Sequence, residues 1–313
     1  MTEKYVIAAD LGGTKLAVAL VTRSGKILQS KSVQVDSTSA LSPVKQLTAL
    51  ARESMNRKAV KGNVAAIGVA VPGLVRPNGT VWAPNLKGWS KMPLGRHLQA
   101  ALKLPVVVES DRNAAILGET WQGAAKGKQD AIVLMLGTGI GAGILSGGHL
   151  LRGAHELSGC AGWMVVSDDV QNLESLAAGP AIARAAKAEL ARGISSLLEE
   201  IPPAAINAFA VAEAARRGDM VSIEVFLKAG RVLGLAVANL ISLFDPEIIV
   251  IGGGLAAASD LFLDALRKST IEHAQPIAAK QVRVVVSRLG PNANLFGAAH
   301  LAWTAARQRS TRH

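Results

Sequence analysis

At 313 residues the chain has room for two domains of ordinary size, and 50% apolar residues, 18% charged residues and 31 glycines suit a turn-rich α/β protein. A single cysteine, Cys160, excludes an internal disulfide framework and a thiolate zinc cluster. The 34 basic and 23 acidic residues leave a net charge of +11, scattered except in the tail at 307–312, and aromatics are only 4%; this disfavours base-stacking on nucleic acid and favours a field that draws in small anions.

No secretory signal is visible at the N-terminus, where Met1 to Lys4 is followed by only a short apolar run ending at Asp10; the expected compartment is the cytoplasm. Tyr5 to Leu28 (YVIAADLGGTKLAVALVTRSGKIL) reads as a β-meander: apolar run, Gly-Gly-Thr turn, apolar run, Ser-Gly turn. Ser42 to Asn56 places Val44, Leu47, Leu50 and Ala51 at helical spacing, with Ser42 as the expected cap and Pro43 in the first turn. Val64 to Val71 is a short buried strand stopped by Pro72-Gly73, and Thr80 to Trp89 is loop-like. Pro105 to Val108 is a further strand with Glu109-Ser110-Asp111 at its carboxyl end, where α/β proteins gather functional groups. A helix from about Asn113 to Ala124 follows, and the domain boundary is expected within it, near Gly118.

Ala131 to Leu151 (AIVLMLGTGIGAGILSGGHLL) repeats the meander pattern. It is nominally long enough to span a bilayer, but its six glycines and two turn signals argue against a membrane helix. Helical periodicity then covers Leu173 to Leu190, Ala204 to Arg217 and Val221 to Leu243. Glu247 to Ile251 is a buried strand ending in Gly252-Gly253-Gly254, Val282 to Val286 a last strand, and Ala293 to Arg307 a closing helix. The expected domains are 1–118 and 119–294, with the segment 295–313 packing on the first.

The chemistry concentrates in four places. Asp10-Leu11-Gly12-Gly13-Thr14-Lys15 puts a carboxylate at a strand end before a glycine turn. Its N–H groups could meet phosphate while Asp10 holds Mg²⁺ through water; a plain hairpin turn is the competing reading. Gly137-Thr138-Gly139 could cradle the other side of a phosphate chain, or be a simple turn between strands. Gly253-Gly254-Leu255 lies in a formal G-x-G-x-x-A dinucleotide fingerprint, yet only about 60 residues follow, too few for a Rossmann domain; an adenosine-lining turn fits better. Asp111 is the candidate general base, with helix capping as its alternative or additional task. No Gly-Lys-Ser/Thr of a Walker loop occurs.

Together these segments resemble the ROK family (repressor, open reading frame, kinase), a branch of the actin-like ATPase and sugar-kinase fold. The resemblance spans DLGGTK at Asp10, GVAVPGLV at Gly68, APNLKGW at Ala83, ESDRNAAILGE at Glu109, LGTGIGAGI at Leu136, LESLAAGPAIA at Leu173, PEIIVIGGGLA at Pro246 and LGPNANLFGAA at Leu289. It implies an α/β, two-domain actin-like ATPase or ribonuclease H-like fold with an interdomain cleft. It also implies a cytoplasmic kinase that phosphorylates a hexose with ATP and Mg²⁺, with Asp111 as base. The sugar would be met by Gly73, Asn85, Ser110, Asp111, Cys160, Trp163 and Glu174. The nucleotide would be met by Asp10, Gly12, Gly13, Thr14, Lys15, Gly137, Thr138, Gly139, Gly253, Gly254 and Leu255. A homodimer is the expected assembly, and neither nucleic acid nor membrane is an expected partner, since the repressors' N-terminal DNA-binding domain has no counterpart here.

The departures from the family pattern carry as much weight. The usual G-E-I-G-H run reads Gly159-Cys160-Ala161-Gly162-Trp163, so a sugar-binding Glu becomes Cys160 and a zinc-ligating His becomes Trp163. The C-x-C-G-x-x-G-C cluster is replaced by Ser167 to Asn172, and the Asn of the usual E-N-D run is Ser110. No zinc site is expected. Trp163 could stack on a sugar face or plug space left by the missing loop. Retained kinase chemistry with altered acceptor specificity is the leading expectation; a non-catalytic sugar or nucleotide sensor and a polyphosphate-dependent kinase are the alternatives.

Overall fold

The computed structural model describes residues 4–58, 60–166 and 171–310, with the side chains of 309 and 310 left aside. The chain opens with β1 (Tyr5–Leu11), β2 (Lys15–Thr22), β3 (Ile27–Gln34), α1 (Ser42–Met55), β4 (Val64–Val71), β5 (Leu74–Val75) and β6 (Val81–Trp82). It continues through α2 (Leu94–Leu102), β7 (Val106–Ser110), α3 (Asp111–Gln122), β8 (Ala131–Leu136), β9 (Ile140–Ser146) and β10 (His149–Leu150). The remainder comprises α4 (Leu173–Ala177), α5 (Gly179–Ala191), α6 (Ala208–Arg216), α7 (Met220–Phe244), β11 (Ile248–Gly252), α8 (Ser259–His273), α9 (Pro276–Gln281), β12 (Arg283–Val286) and α10 (Ala293–Ser310).

Two compact units result. One holds Met1–Gly127, Arg152–Ser158 and Pro291–His313; the other holds Lys128–Leu151 and Gly159–Gly290. In the first unit the sheet order is β3-β2-β1-β4-β7, in the second β10-β9-β8-β11-β12. The two sheets share one topology: an antiparallel meander, then two strands parallel to its first strand. The repeated meander in the sequence is therefore the visible part of a repeated sheet.

In the first unit β1 is apolar on both faces because both faces are covered. Ile7, Ala9 and Leu11 pack with Leu47 and Leu50 of α1 and Leu94 and Leu98 of α2. Val6 and Ala8 face Ala114 of α3 and Leu295, Ala298 and Ala299 of α10. That second layer is thin, and glycines make it so. A Cβ on Gly297 would run into the carbonyl of Ala114, and one on Gly118 into the carbonyl of Ala293, so α3 and α10 touch backbone to backbone. Gly297→Ala is expected to destabilise the chain by about 3 kcal/mol, the upper end of ordinary overpacking, because backbone rather than a flexible side chain must give way. Urea unfolding checks this; an unchanged midpoint would mean the helices can separate freely.

In the second unit, Ile132, Leu134 and Leu136 of β8 and Ile249 and Ile251 of β11 share a core with α4, α5, α6, α7 and α8. Three local readings of the sequence need correction. Ser42 is not the cap of α1: Leu41 holds that position without a side-chain bond, and the Ser42 hydroxyl instead meets Thr38 and Ser39. The helix expected over Leu173 to Leu190 is two helices, because Ala178 is extended and Gly179-Pro180 opens α5; proline lacks the N–H an uninterrupted helix would need. The helix expected from Ala204 starts at Ala208, where Asn207 accepts from Phe209 N and Ala210 N. Among the described residues no helix is long and apolar enough to cross a membrane.

Candidate functional site

In the first unit, the parallel pairing of β1, β4 and β7 brings three strand ends level. Asp10 pairs with Ala70, and Ala70 with Glu109, so Asp10 and the Glu109-Ser110-Asp111 run lie two strand positions apart at one edge of the sheet. Asp111 is the first residue of α3, and Ser110 is its cap position without making a capping bond. The Asp111 Oδ1 accepts from the Arg112 backbone N–H at 2.8 Å. Both carboxyls keep only partial contact with water. Desolvation pushes the Asp10 carboxyl up from 3.8 to about 7, opposed by a hydrogen bond from Asn294 and reinforced by the Asp111 charge. Desolvation likewise raises Asp111, against the backbone bond and charge of Arg112.

Around these carboxyls the first unit gathers the other expected residues. The exposed turn Gly12 to Lys15 closes with Gly12 N to the Lys15 carbonyl at 2.8 Å, and Lys15 is close enough to Asp10 to lower its pKa. Asn85, exposed on the turn between Ala83 and Trp89, lies against Gly13. Gly73 needs its φ of +90°, and a Cβ there would strike the Trp82 carbonyl. Ser110 is 2% exposed and, among the described residues, its hydroxyl has no partner; Asn294 Oδ1 is likewise buried without one.

Two supports of this edge were not read from the sequence. Glu109 is 3% exposed; its carboxylate accepts from Ser110 N, Asn113 Nδ2 and Arg152. The Arg112 guanidinium donates to the carbonyls of Gly73, Glu156 and Ser158 at 3.3, 3.0 and 3.2 Å. Each side chain ties a loop to the start of α3. Their spacing within ESDRN carried no hint of it, because their partners are about 40 residues away.

In the second unit the Gly137-Thr138-Gly139 turn joins β8 to β9. Gly137 N donates to the Gly139 carbonyl at 3.0 Å, and Gly179 N at the head of α5 donates to the Gly137 carbonyl at 2.9 Å. The Glu174 carboxylate accepts from Ile140 N at 2.8 Å and fills the space that a side chain on Gly139 or Gly162 would need. Glu174 therefore braces the glycine turn. Gly253 has φ +84° and crosses the Leu136 backbone so closely that a Cβ would collide with it. Gly254 has open space, and Leu255 is buried.

These glycine segments open onto a cavity of about 570 Å³ whose wall includes Gly137, Thr138, Gly254 and Leu255. It lies within the size range of small-molecule sites. The same wall includes Gly179, Pro180, Ala183, Arg184 and Lys187 from α5 and Ile206 to Phe209 at the start of α6. None of those was anticipated. One signal was available: Phe209 falls off the buried stripe of α6, which runs through Ala208, Val211, Ala212 and Ala215.

Cys160 precedes a short 3₁₀ turn over Ala161–Trp163, itself held by Gly159, whose carbonyl accepts from Ala142 N at 2.7 Å. Trp163 is 76% exposed. The shortened segment that replaces the cysteine cluster, 167–170, lies outside the described residues. Among the described residues no three of His, Cys, Asp and Glu gather into a metal cluster.

Two copies of one meander-based sheet, each flanked by helices, define the actin-like ATPase fold. The chain belongs to the ROK family, whose model matches residues 6–305. It is 32% identical to a glucokinase of Thermotoga maritima, over 96% of this chain and 98% of that protein. A ROK family glucokinase from Streptomyces griseus, solved in complex with glucose and AMPPNP, superposes with a TM-score of 0.80 at 33% identity, covering 96% of this chain and 99% of that one. A ROK family transcriptional regulator, a homologue of the E. coli MLC protein, superposes with a TM-score of 0.87 at 26% identity, covering 97% of this chain and 79% of that one.

Proposed function

We propose that the chain is an ATP- and Mg²⁺-dependent kinase that phosphorylates a hydroxyl of a hexose or hexose derivative, with an acceptor preference moved away from glucose. The observation that carries this reading is Asp111: a carboxyl at the end of a parallel strand, raised in pKa by desolvation, beside a second raised carboxyl. A carboxylate in that state is a stronger base than an ordinary aspartate toward a hydroxyl presented to it. The similarity to a named glucokinase and to a structure holding glucose and AMPPNP supports the same class.

In this mechanism Asp111 takes the proton of the attacking sugar hydroxyl. The hydroxyl oxygen bonds to the γ-phosphorus, the bond from that phosphorus to the bridging oxygen breaks, and ADP leaves with the electron pair. The proton passes from Asp111 to water. Gly12 N and Gly137 N close their own turns, which leaves the backbone N–H groups of Gly13 and Thr14 in one turn and of Thr138 and Gly139 in the other suited to phosphate oxygens. The oxygens of Asp10 and the unsatisfied Asn294 Oδ1 form a hard donor set that fits Mg²⁺, with Asp10 acting through water. When bound there, the ion would neutralise charge between the phosphates.

The acceptor preference follows from lost hydrogen bonds. Cys160 and Trp163 stand where the family pattern has a carboxylate and an imidazole; charged hydrogen bonds are worth about 1.5–3 kcal/mol each, enough to weaken glucose by orders of magnitude. An exposed indole and a small thiol suit an acceptor with an apolar substituent or face. ADP release should therefore rise sharply with one class among aldohexoses, amino sugars and N-acyl sugars and stay near background with glucose. The double change Cys160→Glu and Trp163→His should shift preference toward glucose. Tight sugar binding without ADP release for any sugar would favour a sensor instead, and activity with polyphosphate but not ATP would replace the donor.

A further inference from the structure

In the first unit, residues 152–158 form a small closed loop. Ser158 N donates to the Arg152 carbonyl at 3.0 Å and Glu156 N to the Gly153 carbonyl at 3.3 Å. The turn puts Glu156 at φ +59°, the left-handed region that a residue with a Cβ enters only at a cost. Such a conformation lasts where its surroundings over-determine it. Here they do. The Glu156 carboxylate accepts from Arg152 Nη1 at 3.2 Å, Arg152 Nη2 donates to the buried Glu109, and the Glu156 carbonyl accepts from Arg112 Nη2 at 3.0 Å. Arg112 is the odd member of this group. It is 9% exposed and has no ion-pair partner among the described residues. Its guanidinium instead divides its donors among neutral carbonyls: Nε to Ser158 and Nη2 to Glu156 in the loop, and Nη1 to Gly73. Burying a cation without a counter-charge is unfavourable. What the planar fork supplies in return is geometry, since one rigid group fixes two stretches of chain against the residue next to Asp111.

We propose that Arg112 is a positioning residue for the acceptor: its guanidinium locks the Gly73 turn and the 152–158 loop into one shape beside Asp111, so that the sugar is held with a hydroxyl toward the base. The inference rests on the reading of Gly73 and Asp111 as acceptor-side residues. Arg112 acts on the sugar and not on the nucleotide, because none of its side-chain bonds reaches the Gly12–Lys15 turn. A loop that kept its sugar-binding shape only about a tenth of the time would lower the apparent sugar affinity about tenfold. A hydroxyl misplaced by about 1 Å would lower turnover by a further factor of about 10².

The test uses the full chain and three variants: Arg112→Met, Arg112→Lys, and Arg112→Met combined with Glu156→Gly. Each is titrated by calorimetry with the sugar that gives the strongest ADP release and, separately, with AMPPNP, and each is followed by steady-state kinetics. Arg112→Met should weaken sugar binding by about tenfold and lower kcat/KM for the sugar by about 10² or more, while AMPPNP binds as in the parent. Arg112→Lys keeps the charge and the stem, so it should fold, but one ammonium cannot serve three carbonyls in a fork; it should show the same selective loss. Glu156→Gly removes the cost of the left-handed turn, so the double variant should regain part of the sugar affinity lost in Arg112→Met. A merely structural brace would weaken sugar and nucleotide together. That result, or a normal sugar affinity and kcat/KM in either single variant, would overturn the proposal. The two readings fail separately: a parent that binds sugar but never phosphorylates it, with Arg112→Met binding that sugar about tenfold less well, would sink the kinase and leave this inference standing. Sugar phosphorylation that Arg112→Met leaves unchanged would do the reverse.

Discussion

Asp111→Asn is expected to lower turnover by about 10²–10⁴, the contribution of a positioned general base, while nucleotide binding and the fold are kept. The amide is nearly the same shape and can still accept the 2.8 Å bond from Arg112 N through its oxygen. It cannot take a proton. Because desolvation holds the Asp111 carboxyl above the ordinary aspartate range, removing the charge also relieves a cost, so the variant should be no less stable than the parent at neutral pH. If Asp111 is the base, the acid limb of the kcat/KM profile should change when it is replaced, and any limb that remains should come from Asp10, whose carboxyl is raised to about 7. A variant with near-normal turnover would take Asp111 out of the mechanism.

Asp10→Asn is expected to make the metal-free protein more stable at pH 8 while weakening its Mg²⁺ response. The folded-state pKa of Asp10 is raised from 3.8 to about 7, so the folded chain holds this proton more tightly than the unfolded one. A raised pKa contributes stability that is complete below about pH 4 and is lost as pH rises through about 7. At about 1.36 kcal/mol per unit, the loss is at most about 4 kcal/mol, reduced by the partial contact of the carboxyl with water. Asparagine has no such dependence. Urea midpoints for the two proteins should therefore coincide near pH 4 and separate in favour of the variant by pH 8. Mg²⁺ with nucleotide should narrow the gap by stabilising the parent more than the variant. Parallel curves across that range would show that Asp10 pays no desolvation cost in the fold.

The parts of the fold that could be read from sequence are those encoded by short contiguous patterns. The two meanders, the strands around Val64 and Ile248 and the long helix through Val221 to Leu243 all carry their periodicity within one window. The break at Ala178 was missed because the apolar spacing continues across Gly179-Pro180, and only proline chemistry marks the restart. The Ser42 cap was misread because a hydroxyl one residue inside the helix can bond its neighbours as easily as the first turn.

For the site, the same division holds. Asp10, Gly73, Asn85, Ser110 and Asp111 lie at strand ends or tight turns of the first unit, positions that sequence can mark by a carboxylate or glycine after an apolar run. Phe209, Lys187 and Asn207 share a wall only because α5 and α6 pack side by side over the glycine turn, a tertiary fact with no local signature. Glu174 illustrates the limit in another way: its motif suggests contact with sugar, and its carboxylate also accepts from Ile140 N and supports the turn, a task that no local spacing marks.

The most direct measurement follows labelled γ-phosphate from ATP into the sugar fraction, with the full chain, Mg²⁺ and the sugar class that gives the strongest ADP release. The parent protein should give a labelled, stoichiometric sugar monophosphate, and Asp111→Asn an initial rate lower by about 10²–10⁴. Label appearing only in inorganic phosphate, or an equal rate of sugar phosphate from both proteins, would contradict it.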